Sequence, residues 1–219
     1  MILSVLLIAT PVLFTAAYAG LGIRFGYPAI LREPTTEILR RFRAGGAGLI
    51  LLWWVFAMSA LLFVPVAVLA GDLVVDPGVR TLSIALGVLA AAVQTLGLIR
   101  WVYLVPYLAR EADAGADPTA VDLVFQAFHR YLGVAVGEHL GYLLTGAWTL
   151  AFSLGAASAL PVWLVVAGVV IATMLLLGSV EFLGPFERSG WAIAGHLVSI
   201  GYTIWAVWLV AIGIVLLVE

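Results

Sequence analysis

The chain contains no cysteine, and its ten basic residues are all arginine. The first absence excludes disulfides, thiol chemistry and Cys-ligated metals or clusters. The second, a complete lack of lysine, reads as a genomic bias and not as a mechanism. Charge of either sign is scarce. Charged residues make up 10% of the chain, against about a quarter in a soluble domain. The formal net charge of −2 points to no particular partner, and no nucleic-acid partner is expected. Catalytic signatures are missing as well. "GEHLGY" places its glutamate before its histidine, so it is not H-E-x-x-H. Ser199 follows His196 by one helical turn, without a Gly-x-Ser-x-Gly or oxyanion motif. No P-loop or Rossmann-type phosphate loop occurs. These lacks count against an enzyme with a soluble-type active site.

What the chain does have is apolar length. Apolar residues are 64% of 219, and the mean hydropathy is +1.19. So much apolar surface cannot be exposed to water, which makes this an integral membrane protein. The runs are long and lack dyad alternation, so the spans are helices and not barrel strands. The expected fold is an all-α polytopic bundle of about six transmembrane helices in one domain covering residues 1–219. The spans fall at about 1–23, 45–70, 81–109 (with a break near Pro106), 119–154, 159–178 and 191–218. In the fourth, the part from about Tyr131 onward lies in lipid. The first 20 or so residues resemble a signal peptide, with Ala17-Tyr18-Ala19 as a cleavage site. No positive residue precedes that run, and a retained first helix is expected.

Arginine sets the orientation. Arg24, Arg32, Arg40, Arg41 and Arg43 follow helix 1, Arg100, Arg110 and Arg130 lie between helices 3 and 4, and Arg188 lies between helices 5 and 6. Arg80 stands alone on the other side. The positive-inside rule puts the larger group in the cytoplasm, with the N-terminus and the C-terminus both outside. In the first loop, Pro34 and Thr35-Thr36-Glu37 form a helix-start signal. Ile38, Leu39 and Phe42 would then lie at the lipid surface while Arg40, Arg41 and Arg43 reach phosphates. An ordinary positive-inside loop is the preferred reading of that stretch.

The fourth helix carries "HRYLGVAVGEHLGY". At about 100° per residue, Gly133, Gly137 and Gly141 fall within about 60° of Arg130 and form a helix-packing seam, as small residues do in lipid. Glu138 lies about 80° round, in a polar stripe with Tyr131, Tyr142, Thr145 and Thr149. His139 turns about 100° further, so the two neighbours address different surroundings. His129 sits beside Arg130 as an ordinary interfacial residue. The strongly apolar residues of this span gain about 4 kcal/mol on insertion, while one central charge costs about 2.5–3.5 kcal/mol. Glu138 and His139 therefore need neighbours.

Depth suggests which ones. Helices 4 and 6 run in the same direction, which puts His139 roughly 12 Å and His196 roughly 8 Å from the cytoplasmic edge. Arg100, near the end of helix 3, and Glu181, just past helix 5, belong to the same half of the bilayer. His196 heads a stripe with Ser199 and Thr203, and Gln94 lies deeper. The expected polar cluster is therefore Arg100, Glu138, His139, Tyr142, Glu181, His196, Ser199 and Thr203. Three readings stay open. The cluster is a structural network in which Arg100 pairs with Glu138 or Glu181; or it lines a pocket for a small hydrophobic molecule, ion or proton path; or His139 and His196 ligate haem or another metal. The tryptophans, from Trp53-Trp54 to Trp208, are expected mostly at helix ends or on lipid faces.

Four stretches make up a little under half of the chain: "FGYPAILREPTTEILRRFRAGG", "LGLIRWVYLVPYLA", "FQAFHRYLGVAVGEHLGYLLTGAWTL", and the end from "VEFLGP" through "IWAVWLVAIGIVLL". Together they resemble a bacterial family of multi-helix membrane proteins of the domain-of-unknown-function kind. The resemblance implies a multi-pass protein of the bacterial cytoplasmic (inner) membrane, and it carries no activity and no functional residues. The leading functional expectation is binding of a small hydrophobic ligand or cofactor. The alternatives are an accessory subunit of a larger membrane complex, and a small transporter or proton-coupled carrier. The lack of internal repeats counts against the carrier. Expected partners are the bilayer and a membrane-protein partner or second copy.

Overall fold

In the computed structural model, which describes residues 1–218, every regular element is helical. Six helical rods form the bundle, in agreement with the all-α expectation. α1 is Ile2–Phe25. The second rod is α2 (Thr35–Leu61) followed by α3 (Phe63–Ala70), and the third is α4 (Pro77–Asp113). The fourth combines α5 (Pro118–Phe128), a π-helix (His129–Leu140) and α6 (Gly141–Gly155). α7 (Val162–Gly178) and α8 (Ala192–Val218) complete the set. Four helical stretches are long and apolar enough to cross a membrane: Ile2–Phe25, Thr35–Leu73, Pro77–Asp113 and Ala192–Val218. α7 is shorter but apolar apart from Thr173, and its outward residues Val162, Val166 and Val170 are exposed. Such a face suits lipid better than water.

Local chemistry sets the ends. Gly26 adopts a left-handed φ of 76° after α1, and the following Tyr27 N–H returns to the Leu21 carbonyl. This glycine-dependent stop turns Tyr27 back toward the bundle. Asp76 caps α4 by accepting from the Val79 N–H at 2.8 Å, and Asp117 caps α5 by accepting from the Thr119 N–H at 3.0 Å. Each cap is followed by a proline at the first helical position, where its missing N–H costs nothing.

Two expectations change here. α4 runs through Pro106 without a break. That proline is buried against neighbours, which is how spanning helices tolerate one. Helix α2 begins at Thr35, before its expected span, and is interrupted only by a non-helical Gly46 (φ 57°, ψ −157°). The segment ahead of Gly46 is thus a helix and not an ordinary loop. Its Ile38, Leu39 and Phe42 are buried in the protein and do not lie on a lipid surface.

Two aromatic cores stand at opposite ends of the bundle. One holds Phe25, Phe42, Trp53, Trp101 and Phe125; the other holds Phe63, Trp148, Phe152, Trp205 and Trp208. Most tryptophans therefore fill the interior. The expectation of helix ends and lipid faces holds for exposed Trp54 and Trp163 and for half-buried Trp191 at the start of α8. The segments Gln94–Arg100 and Gly133–Thr145 run between the two cores. At the arginine-rich end, side chains tie the connecting segments together. Thr35 donates to Asp122 at 2.5 Å and accepts from Gln126 at 3.0 Å. Arg43 pairs with Asp113, and Arg130 with Glu187. Arg80 lies at the other end, 3.8 Å from Asp72. Exposed pairs add about 0–1 kcal/mol each, so they mark proximity more than strength.

Candidate functional site

The band between the cores is built on close backbone contact. A Cβ on Gly97 of α4 would stand 2.6 Å from the Gly137 Cα, and one on Gly137 would stand 3.0 Å from the Gly97 Cα. Gly133 faces the Arg100 guanidinium and Gly141 faces Gln94. Gly133, Gly137 and Gly141 thus all address α4, inside one chain. The segment that holds Gly133 and Gly137 is not α-helical. Its i→i+5 winding turns less than 100° per residue, so the angles derived from the sequence do not apply between His129 and Leu140. π-Turns gather at functional sites more often than ordinary helix does.

Arg100 is buried at 8% exposure. It donates to the Gly97 carbonyl and approaches His129 Nδ1 at 3.4 Å, with its guanidinium carbon 5.4 Å from the Trp101 ring centre. His129 also stacks on Phe125, 5.8 Å between ring centres. It is half-buried, and one face of its ring is turned to the interior. Glu138 lies within electrostatic range of Arg100, Glu181, Tyr27 and Tyr142. Among the described residues, however, no ion pair or hydrogen bond joins Glu138 to Arg100. The direct pairing expected for Arg100 is not made, because its guanidinium is held by Gly97 and His129.

Next to the charges lies a hydroxyl network. Thr145 Oγ1 accepts from Gln94 Nε2 at 2.9 Å and from Tyr202 at 3.3 Å, and donates to the Gly141 carbonyl at 2.7 Å. That saturates a hydroxyl, which has one proton and two lone pairs. Trp205 Nε1 donates to Thr149 at 2.9 Å. Tyr142 packs edge-on against Tyr202, 5.4 Å between centres.

His139 turns the other way, and its Nδ1 donates to the Ser179 carbonyl just beyond α7 at 2.7 Å. His196 does not join the interior. It is exposed and donates from Nδ1 to its own Ala192 carbonyl at 2.6 Å. Ser199 and Thr203 are likewise exposed and bond the carbonyls four residues back. The buried side of α8 is Ala194, Val198, Gly201 and Trp205. The stripe headed by His196 lies on the other side, and backbone carbonyls satisfy it locally. Glu181 is half-buried beyond α7. Burial holds its carboxyl above the ordinary range, with Arg32 and then His196 pulling it down.

The interior group is therefore Arg100, Glu138, Tyr142 and, at its edge, Glu181, joined by Tyr27, His129, Gln94 and Tyr202. Tyr27 was not foreseen as a member. Its only sequence signal is the Gly26 turn signal before it.

Fold and site together describe an all-helical chain with helices long and apolar enough to cross a membrane, holding a charged and aromatic interior. The chain belongs to the family described as Domain of unknown function (DUF4386), which it matches over residues 2–213. No curated protein and no solved structure matches it.

Proposed function

We propose that this is a membrane-embedded binding protein, and that its ligand is a small hydrophobic molecule with a polar head. The observation that carries the reading is the relation of Arg100 to Glu138. Two opposite charges share a buried site without closing on each other. A purely structural pair gains most by direct contact, since each charge left alone in lipid is costly. A polar head group that accepts from Arg100 and donates to Glu138 would satisfy both charges at once. Tyr27 and Tyr142 lie within electrostatic range of the same carboxylate. The π-helix widens the rod at the same point.

The same reading covers placement. The arginine count supports a multi-pass protein of the bacterial cytoplasmic membrane, one domain, with both termini outside. The contacts Arg43–Asp113 and Arg130–Glu187 support it, because they gather three arginine-bearing connections at one end. The site then lies in the cytoplasmic leaflet.

Native mass spectrometry of the purified protein tests the reading. We expect a small-molecule adduct on the wild type that is lost in Glu138→Gln and Arg100→Gln. Identical mass distributions in all three would overturn it. An absorption spectrum with metal analysis belongs to the same preparation. The exposed position of His196 leads us to expect neither a Soret band nor stoichiometric metal, and a Soret band lost in His139→Ala would assign the site to haem instead.

A further inference from the structure

A second feature lies away from the interior group, at the junction of α1 and the Gly46 interruption. There a notch of about 380 Å³ is lined by Gly22, Arg24, Gly26, Arg41, Ala44 and Gly45. Ile23 and Phe25 complete its lining, and its charged groups are two guanidiniums from different helices. Arg41 gives its Nε to Glu37 at 2.6 Å, while its Nη1 lies 3.8 Å from where a Gly26 Cβ would stand. Arg24 Nη1 lies 3.3 Å from the corresponding position at Gly48. The Glu37 carboxylate is shared between Arg41 and Arg40 and does not line the notch.

The floor opens onto an apolar surface. Ile23 lines the notch and is 87% exposed. Along α2, Ala47, Leu51 and Trp54 are exposed at spacings of four and three residues, so they continue down one face of the helix. We propose that the notch binds the phosphate of an anionic phospholipid, with the acyl chains lying along Ile23, Leu51 and Trp54. Phosphate suits paired guanidiniums, which present forked donors. The apolar track beneath favours a lipid over a free phosphate ion. The inference rests on the membrane placement given above and not on the interior ligand.

The test is native mass spectrometry of the full chain titrated with phosphatidylglycerol or phosphatidylcholine. Wild type should prefer phosphatidylglycerol. Arg24→Gln combined with Arg41→Gln should reduce that preference about thirty-fold, about five-fold for each arginine near an anionic surface. Gly22→Leu keeps both charges but fills the notch, and its Cβ meets nothing closer than the Tyr27 carbonyl oxygen at 3.5 Å. It should lose the preference as well, and it decides the matter if the double variant does not fold. Equal preference in wild type and Gly22→Leu would overturn the proposal. So would displacement by inorganic phosphate with no preference between the two lipids, which would identify a free phosphate as the occupant. Arg100→Gln should keep the lipid, so failure of the interior reading leaves this result standing.

Discussion

The indole rings of Trp53 and Trp101 stack with centres 4.5 Å apart and planes 8° from parallel, joining α2 to α4. Both are fully buried, and Phe25 meets each edge-on. In lipid, exclusion of water does not drive helices together, so contacts of this kind carry the association. Trp101→Ala should lower stability by about 3–5 kcal/mol, with Trp101→Phe costing less. Reversible denaturation in detergent measures both.

Glu138 makes no direct pair with Arg100, so removing its charge should not strand a partner. Glu138→Leu is expected to keep or raise the melting midpoint while losing the adduct described above. A destabilisation of about 3 kcal/mol or more would instead indicate a broken buried ion pair.

Gly137 and Gly97 touch backbone to backbone, and neither helix can yield a flexible side chain there. Gly137→Leu should cost about 1–3 kcal/mol or more through overpacking. Ala135→Leu, on the exposed side of the same π segment, should be neutral. Folded yield by size exclusion, followed by thermal melts, separates the two.

The lack of cysteine makes topology directly measurable. Ser158 and Ser189 are exposed in the connections before α7 and α8. In whole cells a membrane-impermeant maleimide should label Ser158→Cys at once. Ser189→Cys should react only after permeabilisation. The reverse pattern would invert the proposed orientation.

Glu37 lies ahead of Gly46, outside the apolar part of α2. Hydrogen bonds first from Arg40 and then from Arg41 hold its carboxyl down at about 2. A depressed carboxyl contributes above its ordinary range and loses that contribution as pH falls through the lowered value. A carbon-detected NMR titration should place the midpoint near 2, and Arg40→Gln should move it upward.

The sequence made the helical architecture legible because apolar run length is itself the physical requirement for crossing lipid. Arg100, Glu138 and Tyr142 were legible for the related reason that charge and hydroxyls are costly there. What stayed hidden depended on neighbours. Ile38 and Phe42 look interfacial until α4 and α5 cover them. His196 looks like a member of a cluster until the buried side of α8 is known, because a stripe of polar residues has a direction only once its helix is packed. An angle of about 100° between Glu138 and His139 requires α-winding. Nothing in "HRYLGVAVGEHL" announces a π-helix, yet the conclusion that the two residues face different partners holds for the partners themselves: Ser179 for one, the charged interior for the other.

The interruption at Gly46 has a mechanical consequence. A continuous helix transmits torque along its axis, whereas one residue at φ 57° and ψ −157° uncouples rotation on its two sides. Twisting of the arginine-bearing segment from Thr35 onward is therefore not passed down α2. It reaches the bundle sideways, through Thr35 on Asp122 and Arg43 on Asp113. The grip between the cap and the helices below it is thus made of side chains: these polar contacts at its rim, and the buried Ile38, Leu39 and Phe42 beneath them.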